Sequence, residues 1–391
     1  MNATLNQTLL ARGLAIVGRA VATGGTHPAL THVRLDIKAG HLTLTATDLK
    51  TVIRYTLPVE AHAGEAAVLV PARLFSEFVG AVPTGTLTLT TDDTHPDRIA
   101  LSGGATSATM RSGPLADFPA LPDLAGDRLL TLPVAALRAA VPNVAFAAGS
   151  QSKNPVLQAV LLDVERDALT LVAADGFRLA YQRIPLAAGP AGDPPAPPVQ
   201  LLVPPAALTD LAAILTGAPF SGPTPAVTTV TLTRGAKGNS LCFTAGPLLL
   251  LTRLVDGTYP KYRTMLPPSH SSSGMLAGAA LRDAVRLAAC FTADSHQLVS
   301  LRLLPATAEA AAGLTVDSES TERGANRSVL PATVAGAPVE IALHAGYVLQ
   351  ALGALTGQVT LELNGPQQPG VLRTTGSDTV LQLIMPMSKA A

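Results

Sequence analysis

The residues whose types could support chemistry are two aspartates in matching stretches of sequence. Asp48 lies in HLTLTATDL (41–49), and Asp175 lies in ALTLVAADG (168–176). Two carboxylates held close together can act as a general acid and a general base. Here each aspartate stands at the same place in a repeated pattern, directly after alternating strand sequence, where an aspartate commonly forms or caps a turn. We therefore predict a structural function for both carboxylates rather than catalysis.

No other group of residues has a spacing typical of an active site. The chain contains no GxxxxGK[ST], GxGxxG, HExxH or GxSxG pattern, so it lacks common signatures of phosphate-binding loops, zinc peptidases and serine hydrolases. The eight histidines are scattered, and Cys242 and Cys290 stand in no CxxC pair. We predict two reduced cysteines, no metal, no cofactor and no enzymatic activity.

The composition is that of a large chain with aliphatic cores. Of 391 residues, 48% are hydrophobic and only 14% are charged, and 27 basic residues balance 27 acidic ones. This length predicts two or three domains, and the balance excludes a protein that is basic throughout. The N-terminus reads as an amphipathic helix, and no stretch approaches the ~18 apolar residues of a membrane span. We predict a soluble, cytoplasmic protein.

One pattern of elements occurs three times along the chain. A strand and a short helix are predicted at 68–82, 201–215 and 341–355, and alternating strand sequence follows at 86–91, 227–233 and 358–364. A longer helix opens each unit, at 6–22, 133–147 and 279–292. In the first of these helices, Leu10, Leu14, Val17 and Val21 form one apolar stripe.

This repetition indicates an α+β fold of three similar domains, each with helices on one side of antiparallel sheets. We place the domains at 1–125, 126–270 and 271–391. The Pro/Gly-rich segment 187–198 is interpreted as a long crossover loop inside the second domain.

Five motifs, in this order, resemble those of the β subunit, or sliding clamp, of bacterial DNA polymerase III. They are THPALTHVRLDIKAGHLTLTATDL (26–49), ADFPALP (116–122), NPVLQAVLLDVERDALTLVAADGFRLA (154–180), LVDGTYPKYRTMLP (254–267) and LIMPM (383–387). The resemblance implies three clamp domains per chain and a head-to-tail homodimeric ring with helices lining its hole. Such a ring encircles duplex DNA and confers processivity without reading bases.

Positive charge on the helices should face the DNA phosphates if the resemblance holds. The candidate DNA-facing residues are Arg12, Arg19, Arg73, Arg138, Gln151, Arg282 and Arg286. Only three carboxylates, those of Glu77, Asp210 and Asp283, oppose the arginines on the same helices. Gly24 and Pro205 stand near places where the family often has basic residues, which weakens the predicted DNA contact there.

The resemblance also implies a pocket for short linear peptides of DNA polymerases and of the clamp loader. An extended apolar peptide needs a groove of aliphatic and methionine side chains. The positions that match the family's pocket are Leu157, Ala174, Gly176, Phe177, Arg178, Leu179, Pro260, Thr264, Met265, Leu383, Ile384, Met385, Pro386 and Met387.

The subunit interface is expected to join the first domain of one chain to the third domain of the other. Thr106, Ala108 and Met110 lie on a predicted edge strand, and by the resemblance Cys290 and Phe291 would meet them.

Two other functions remain open at this point. A divergent clamp-like interaction module would keep the ring and the pocket but load weakly or not at all onto DNA. A hydrolase or transferase of unknown type is the second alternative, against which the missing motifs count.

Overall fold

The computed structural model describes residues 2–24, 27–91, 95, 97–122, 126–186, 198–221, 226–292 and 297–388. Most of the Pro/Gly-rich segment 187–198, Gly25 and the chain after Ser388 lie outside the described residues. The described part of the chain contains six α-helices: α1 (Gln7–Val17), α2 (Ala72–Ala81), α3 (Val134–Ala140), α4 (Pro205–Ile214), α5 (Gly278–Ala289) and α6 (Ala345–Gly353). None of the helices in these residues is long and apolar enough to cross a membrane.

β-Strands occupy more of the described chain than helices do. The strands of the first half are β1 (Asn2–Asn6), β2 (His32–Lys38), β3 (His41–Thr47), β4 (Thr51–Pro58), β5 (Ala61–Ala63), β6 (Ala66–Pro71), β7 (Thr86–Thr91), β8 (Arg98–Gly103), β9 (Thr106–Arg111), β10 (Gly126–Pro133), β11 (Val160–Val164), β12 (Ala168–Ala174) and β13 (Arg178–Pro185). Those of the second half are β14 (Val199–Val203), β15 (Thr229–Gly235), β16 (Ser240–Ala245), β17 (Leu248–Arg253), β18 (Ser272–Ala277), β19 (Leu298–Leu304), β20 (Gly313–Ser320), β21 (Gly324–Pro331), β22 (Thr333–Gly336), β23 (Val339–His344), β24 (Gln358–Leu363), β25 (Gly370–Thr374) and β26 (Val380–Ile384).

The chain forms two compact units, each built on two antiparallel sheets. The first unit contains Met1–Ala135 and Ala213–Leu254, with the sheets β5-β1-β7-β8-β9 and β10-β15-β16-β17-β4-β3-β2-β6. The second unit contains Ala136–Ala212 and Val255–Ala391, with the sheets β14-β11-β12-β13-β26-β25-β24-β18-β22 and β21-β20-β19-β23.

Each unit contains a sheet that joins strands of neighbouring repeats. In the first unit, β17 pairs with β4, so that Leu248 lies opposite Tyr55. In the second unit, β26 pairs with β13 in the same way, and Leu381 lies opposite Tyr181. Because these sheets cross the predicted domain boundaries near 126 and 270, the compact units do not coincide with the three repeats, and the boundaries remain predictions.

The opening helix of the first repeat packs tightly on its sheet. Leu10, Leu14 and Val17 of the predicted stripe are buried, and the Asn6 side chain caps the helix by accepting a hydrogen bond from the Leu9 amide at 3.1 Å. A Cβ atom on Gly13 would lie only 2.6 Å from Leu44 Cδ1, so a larger residue here would require the Leu44 side chain to shift. The helix ends at Val17, earlier than predicted, and a 3-10 turn at Gly18–Ala20 follows.

The second predicted opening helix was too long. It was expected at 133–147, but α3 ends at Ala140 and a 3-10 turn follows at Ala145–Ala147. Pro142 explains the difference, because proline has no amide hydrogen to donate and disfavours helical geometry at the residue before it. Val141 and Val144 are nevertheless buried, as the apolar pattern predicted.

In the third repeat, α5 and α6 cover one apolar core. Leu281, Val285 and Ala288 of α5 are fully buried in the same cluster as Val348 and Leu352 of α6. The polar side chains of α5, including Arg282 and Arg286, consequently lie on its other faces.

Candidate functional site

The turn between β12 and β13 is built around Asp175. One oxygen of its carboxylate accepts hydrogen bonds from the amides of Phe177, at 3.0 Å, and Arg178, at 3.1 Å. Gly176 between them has a φ of 94°, which glycine adopts without strain. Asp175 therefore forms a turn, as predicted from the sequence.

Asp48 forms the equivalent turn between β3 and β4. Its carboxylate accepts from the amides of Lys50, at 2.9 Å, and Thr51, at 2.7 Å. The residue in the place of Gly176 is Leu49, which has a φ of 73° and is 56% exposed. In both turns, the aspartate carboxylate accepts hydrogen bonds from the amides two and three residues later. Both carboxylates therefore have the structural function predicted for them.

The two aspartates should differ in their effect on stability. Asp175→Ala is expected to lower the free energy of unfolding by about 1–3 kcal/mol, because it removes two turn bonds and a well-shielded ion pair with Arg178. Asp48→Ala, which removes two turn bonds only, should cost about 1 kcal/mol. Urea unfolding of both variants measures the two losses in free energy of unfolding. Equal losses would show that the Arg178 pair contributes nothing.

Arg178 is fixed from several sides. Its Nε donates to Asp175 at 2.9 Å, and one Nη donates to the Phe146 carbonyl at 2.9 Å. The other Nη donates to the Gln350 side chain. The guanidinium also lies over the Tyr347 ring, 4.5 Å from its centroid. Arg178 is thus a rigid wall residue rather than a mobile surface cation.

A concave site, here called the apolar cavity, lies beside this turn and has a volume of about 420 Å³. Several of its lining residues, among them Leu179, Tyr262 and Leu383, belong to an apolar core cluster of the second unit. The lining residues are Leu157, Ala174, Gly176, Arg178, Leu179, Tyr259, Pro260, Tyr262, Met265, Gln367, Gln368, Pro369, Leu383 and Met385. The structure therefore brings together nine of the fourteen positions predicted to form a pocket, drawn from segments far apart in sequence.

A second, wider concavity, here called the open cavity, shares Met385 with the first and has a volume of about 940 Å³. It is lined by Phe177, Ala289, Thr292, Gln297, His344, Tyr347, Met385, Pro386, Met387 and Ser388. Three further predicted positions, Phe177, Pro386 and Met387, are therefore found here. Phe177 is 64% exposed, which leaves an aromatic ring at the rim.

His344 is held neutral at the base of the open cavity. Its Nδ1 accepts a long hydrogen bond of 3.4 Å from the Tyr347 amide at the start of α6, and its ring stacks on Tyr347 at 4.3 Å. Burial, and then the nearby Arg178 guanidinium, lowers the pKa of His344 below its ordinary value. The imidazole is therefore uncharged at neutral pH.

Two predicted pocket positions do not line either cavity. Ile384 is 1% exposed and packs in the core of the third repeat, because neighbouring residues of β26 point to opposite faces and Leu383 takes the cavity side. Thr264 is exposed, and its hydroxyl donates to the Lys261 carbonyl at 2.8 Å. The prediction of a whole LIMPM floor was wrong for Ile384 for this reason of strand parity.

In the apolar cavity, the structure adds five lining residues that sequence reasoning missed: Tyr259, Tyr262, Gln367, Gln368 and Pro369. Both tyrosines stand inside the motif at 254–267, so the motif contained a signal for them. The other three lie between β24 and β25, where no motif pointed to a pocket.

The predicted DNA-facing side chains have different surroundings. Arg73 pairs with Glu77 at 2.8 Å and Arg286 approaches Asp283 at 3.6 Å, both at exposed positions. Arg19 and Gln151 are exposed, whereas Arg12 and Arg138 are half-buried. Arg282 departs most from the prediction, since it is half-buried and donates to the Leu352 carbonyl near the end of α6.

The predicted edge strand is confirmed. β9 is the last strand of its sheet, Thr106 is exposed and Ala108 is half-buried. Met110 is only 4% exposed, so its side chain packs inside its own unit, and its part in a subunit interface stays a prediction. Met110 and Thr106 lie on the same face of β9, but Met110 is buried and Thr106 is exposed.

The second candidate interface lies on the second unit. Cys290 is exposed and Phe291 is half-buried directly after α5. One turn earlier, Leu287 is 57% exposed. β21 is the edge strand of the neighbouring sheet and carries Val329, which is 67% exposed.

Among the described residues, no three histidine, cysteine, aspartate or glutamate side chains are grouped so that they could bind a metal ion.

Three family models match the chain in sequence order. They are the N-terminal domain of the DNA polymerase III beta subunit at residues 1–122, its central domain at 131–261 and its C-terminal domain at 263–388. The beta sliding clamp of Synechococcus elongatus is 29% identical over 99% of both chains. That of Escherichia coli is 26% identical over 99% of this chain and 100% of its own length.

Solved structures share the fold. A DNA polymerase sliding clamp from Bacillus subtilis has a TM-score of 0.88 at 22% identity, with full coverage of both chains. A DNA polymerase III subunit beta from Pseudomonas aeruginosa bound to griselimycin has a TM-score of 0.89 at 24% identity, covering 99% of each chain.

Proposed function

This chain belongs to the DNA polymerase III beta subunit family, the beta sliding clamps, and we propose that it closes as a head-to-tail homodimer around duplex DNA. It has the three clamp domains of that family and acts as a DNA sliding clamp. The observation that carries this conclusion is the ordered match of all three domain models over nearly the whole chain. A ring that encloses DNA retains it by topology and needs no base contacts.

The apolar cavity is our proposed site for short linear peptides of DNA polymerases and of the clamp loader. Its volume falls in the range of ligand pockets, roughly 300–1,000 Å³. Leucine, methionine and tyrosine side chains dominate its lining, and methionine adapts to several ligands. Because a relative was solved with griselimycin, we propose that this compound also binds here and serves as a probe.

Two open strand edges support the proposed dimer. β9 in the first unit and β21 in the second unit each end a sheet and present unpaired backbone groups. Pairing of β9 from one subunit with β21 from the other would bury Val329 and satisfy both edges. Leu287 and Cys290 next to β21 would add apolar surface to the contact.

DNA contact is proposed to come from the arginines on and next to the helices, among them Arg12, Arg19 and Arg138. Arg73 and Arg286 share their charge with carboxylates, and Arg282 is engaged with a carbonyl. Weak, sequence-independent contact suits a ring that moves along DNA.

The double variant Arg19→Gln/Arg138→Gln is expected to flatten the dependence of DNA affinity on salt. Each lost phosphate contact changes the slope of log K against log salt by about 0.9, so the change should approach about 2. Fluorescence anisotropy with a short duplex at several salt concentrations measures the slope. Arg34→Gln is the matched control, because Arg34 is paired with Asp36 on a sheet. A slope unchanged by the double variant would remove these residues from the DNA contact.

The alternative of a clamp-like interaction module without DNA loading is favoured by one observation. α4 begins at Pro205 and carries no basic residue, where the family often has one. Retention on DNA separates the two functions. A loaded ring stays on closed circular DNA and slides off after linearisation, whereas an interaction module is not retained on either form.

We propose no catalytic function for this chain, because its two cavities fit binding and the repeated aspartates Asp48 and Asp175 form turns. A clamp for chromosomal DNA acts in the bacterial cytoplasm, and we propose that compartment.

A further inference from the structure

A buried carboxylate lies behind the wall of the apolar cavity. Asp163 on β11 has a side chain that is only 7% exposed. It shares a face of the strand with Leu161, which belongs to the same apolar cluster as several lining residues of the cavity. An isolated carboxylate at such a depth would be strongly destabilising, so its partners matter.

Three donors from two separate segments satisfy Asp163. The Tyr262 hydroxyl donates at 2.8 Å, an Nη of Arg263 donates at 3.0 Å, and the Gln200 amide donates at 3.3 Å. Arg263 also donates through Nε to the Tyr262 oxygen at 3.0 Å and pairs with Glu165 at 2.7 Å. Tyr262 is therefore held from both sides of its hydroxyl.

The protonation state of the tyrosine favours this arrangement. Burial raises the pKa of Tyr262 above its ordinary value, and the neighbouring Asp163 carboxylate raises it further. The phenol therefore keeps its proton and donates it in the hydrogen bond to Asp163.

The segment held in this way is a wall of the cavity. Tyr262–Met265 is one short 3-10 turn, and Tyr262 and Met265 both line the apolar cavity. The turn itself has few internal bonds, among them the Thr264 amide to the Lys261 carbonyl at 3.1 Å. The Tyr262 ring packs against Tyr181 of β13 at 6.3 Å. The Asp163 bonds, together with the Arg263–Glu165 ion pair, are polar contacts that fix the turn to the sheet.

We propose that Asp163 is a positioning residue for the peptide-binding site, which it serves by anchoring the Tyr262–Met265 turn without touching the ligand. This inference rests on the proposed function of the apolar cavity. A preformed wall lowers the ordering cost of binding. Loss of the anchor should therefore weaken binding even though no contact with the ligand is removed.

Asp163→Asn is the direct test in the full chain. Griselimycin, measured by calorimetry, should bind about tenfold more weakly, which corresponds to about 1.4 kcal/mol. Tyr262→Phe should give a similar loss of affinity. The double variant should bind only slightly more weakly than either single variant, because both changes disrupt the same hydrogen bond between Tyr262 and Asp163. A variant that is merely less stable would not show this non-additivity in affinity. Asp167→Asn is the matched control, since it removes an exposed ion pair with Arg183 on the same sheet.

Hydrogen exchange provides a readout that needs no ligand. Backbone amides of residues 262–266 should exchange faster in Asp163→Asn than in the parent chain, and those of β19 should not change. Unchanged exchange at the turn would overturn the proposal, and so would faster exchange with unaltered affinity. If the parent chain does not bind griselimycin, the proposed peptide site fails for this probe, and exchange alone then decides whether Asp163 anchors the turn.

Discussion

Met385→Ser is expected to weaken griselimycin binding by about 30-fold or more. Met385 lines both the apolar cavity and the open cavity and is 39% exposed, so a bound peptide would cover its side chain. Loss of a central apolar anchor at an interface commonly costs about 2 kcal/mol. Because the side chain is partly exposed in the free protein, its replacement should leave the fold intact.

The matched control for this variant is Met275→Ser. Met275 on β18 is 37% exposed, almost the same as Met385, and lines neither cavity. Calorimetry with griselimycin should show parent-like affinity for Met275→Ser. Equal affinities of the two variants, with unfolding midpoints unchanged, would place the ligand elsewhere on the chain.

Leu287→Asp is expected to convert the dimer to a monomer. Leu287 is 57% exposed on α5, next to the free edge β21. In the proposed ring it becomes buried, and a carboxylate there would lose its hydration. Such a change should weaken association by about 3 kcal/mol, or roughly 100-fold.

Light scattering at several concentrations measures this result. The parent chain has a mass of 39.8 kDa, and a dimer should scatter as about twice that mass. Leu304→Asp is the control, since Leu304 is 36% exposed at the end of β19, which is not an edge strand of its sheet. A parent chain that is monomeric at every concentration would remove the topological basis of the clamp. A dimer that survives Leu287→Asp would place the interface elsewhere.

The two strongest tests address different surfaces, so their results are independent. Loss of griselimycin binding in a chain that is still dimeric would assign Met385 to partner recognition alone. Loss of the dimer in Leu287→Asp with griselimycin binding retained would assign Leu287 to ring closure alone. If both variants behave in this way and the parent chain is retained on circular DNA, only the complete clamp fits.

Local structure was largely predictable from the sequence. The alternation in β3, β12 and β20 follows from the side-chain period of two in a strand. The Asp48 and Asp175 turns followed from the preference of aspartate for accepting nearby amide bonds. In α1, the spacing of Leu10, Leu14 and Val17 fixed the buried face because a helix repeats every 3.6 residues.

The family motifs also indicated most of the candidate site. Leu157, Arg178, Pro260 and Met385 come from four separate segments, and no periodicity relates them to one another. Their meeting was predicted only because the five motifs resemble those of a known family. Gln367, Gln368 and Pro369 had no such motif and were missed.

Only the tertiary structure decided which partner each element meets. Alternation predicts two faces of a strand but not which face looks to the cavity, so Ile384 was assigned to the wrong side. The spacing of Arg282 predicts a helix surface, but the approach of α6 determines that its guanidinium meets the Leu352 carbonyl. Asp163 reads as an ordinary strand residue, and its function depends on Tyr262 and Arg263, which lie about a hundred residues away. These properties depend on long-range packing, and a local sequence pattern contains the tendency of each segment but not its neighbour.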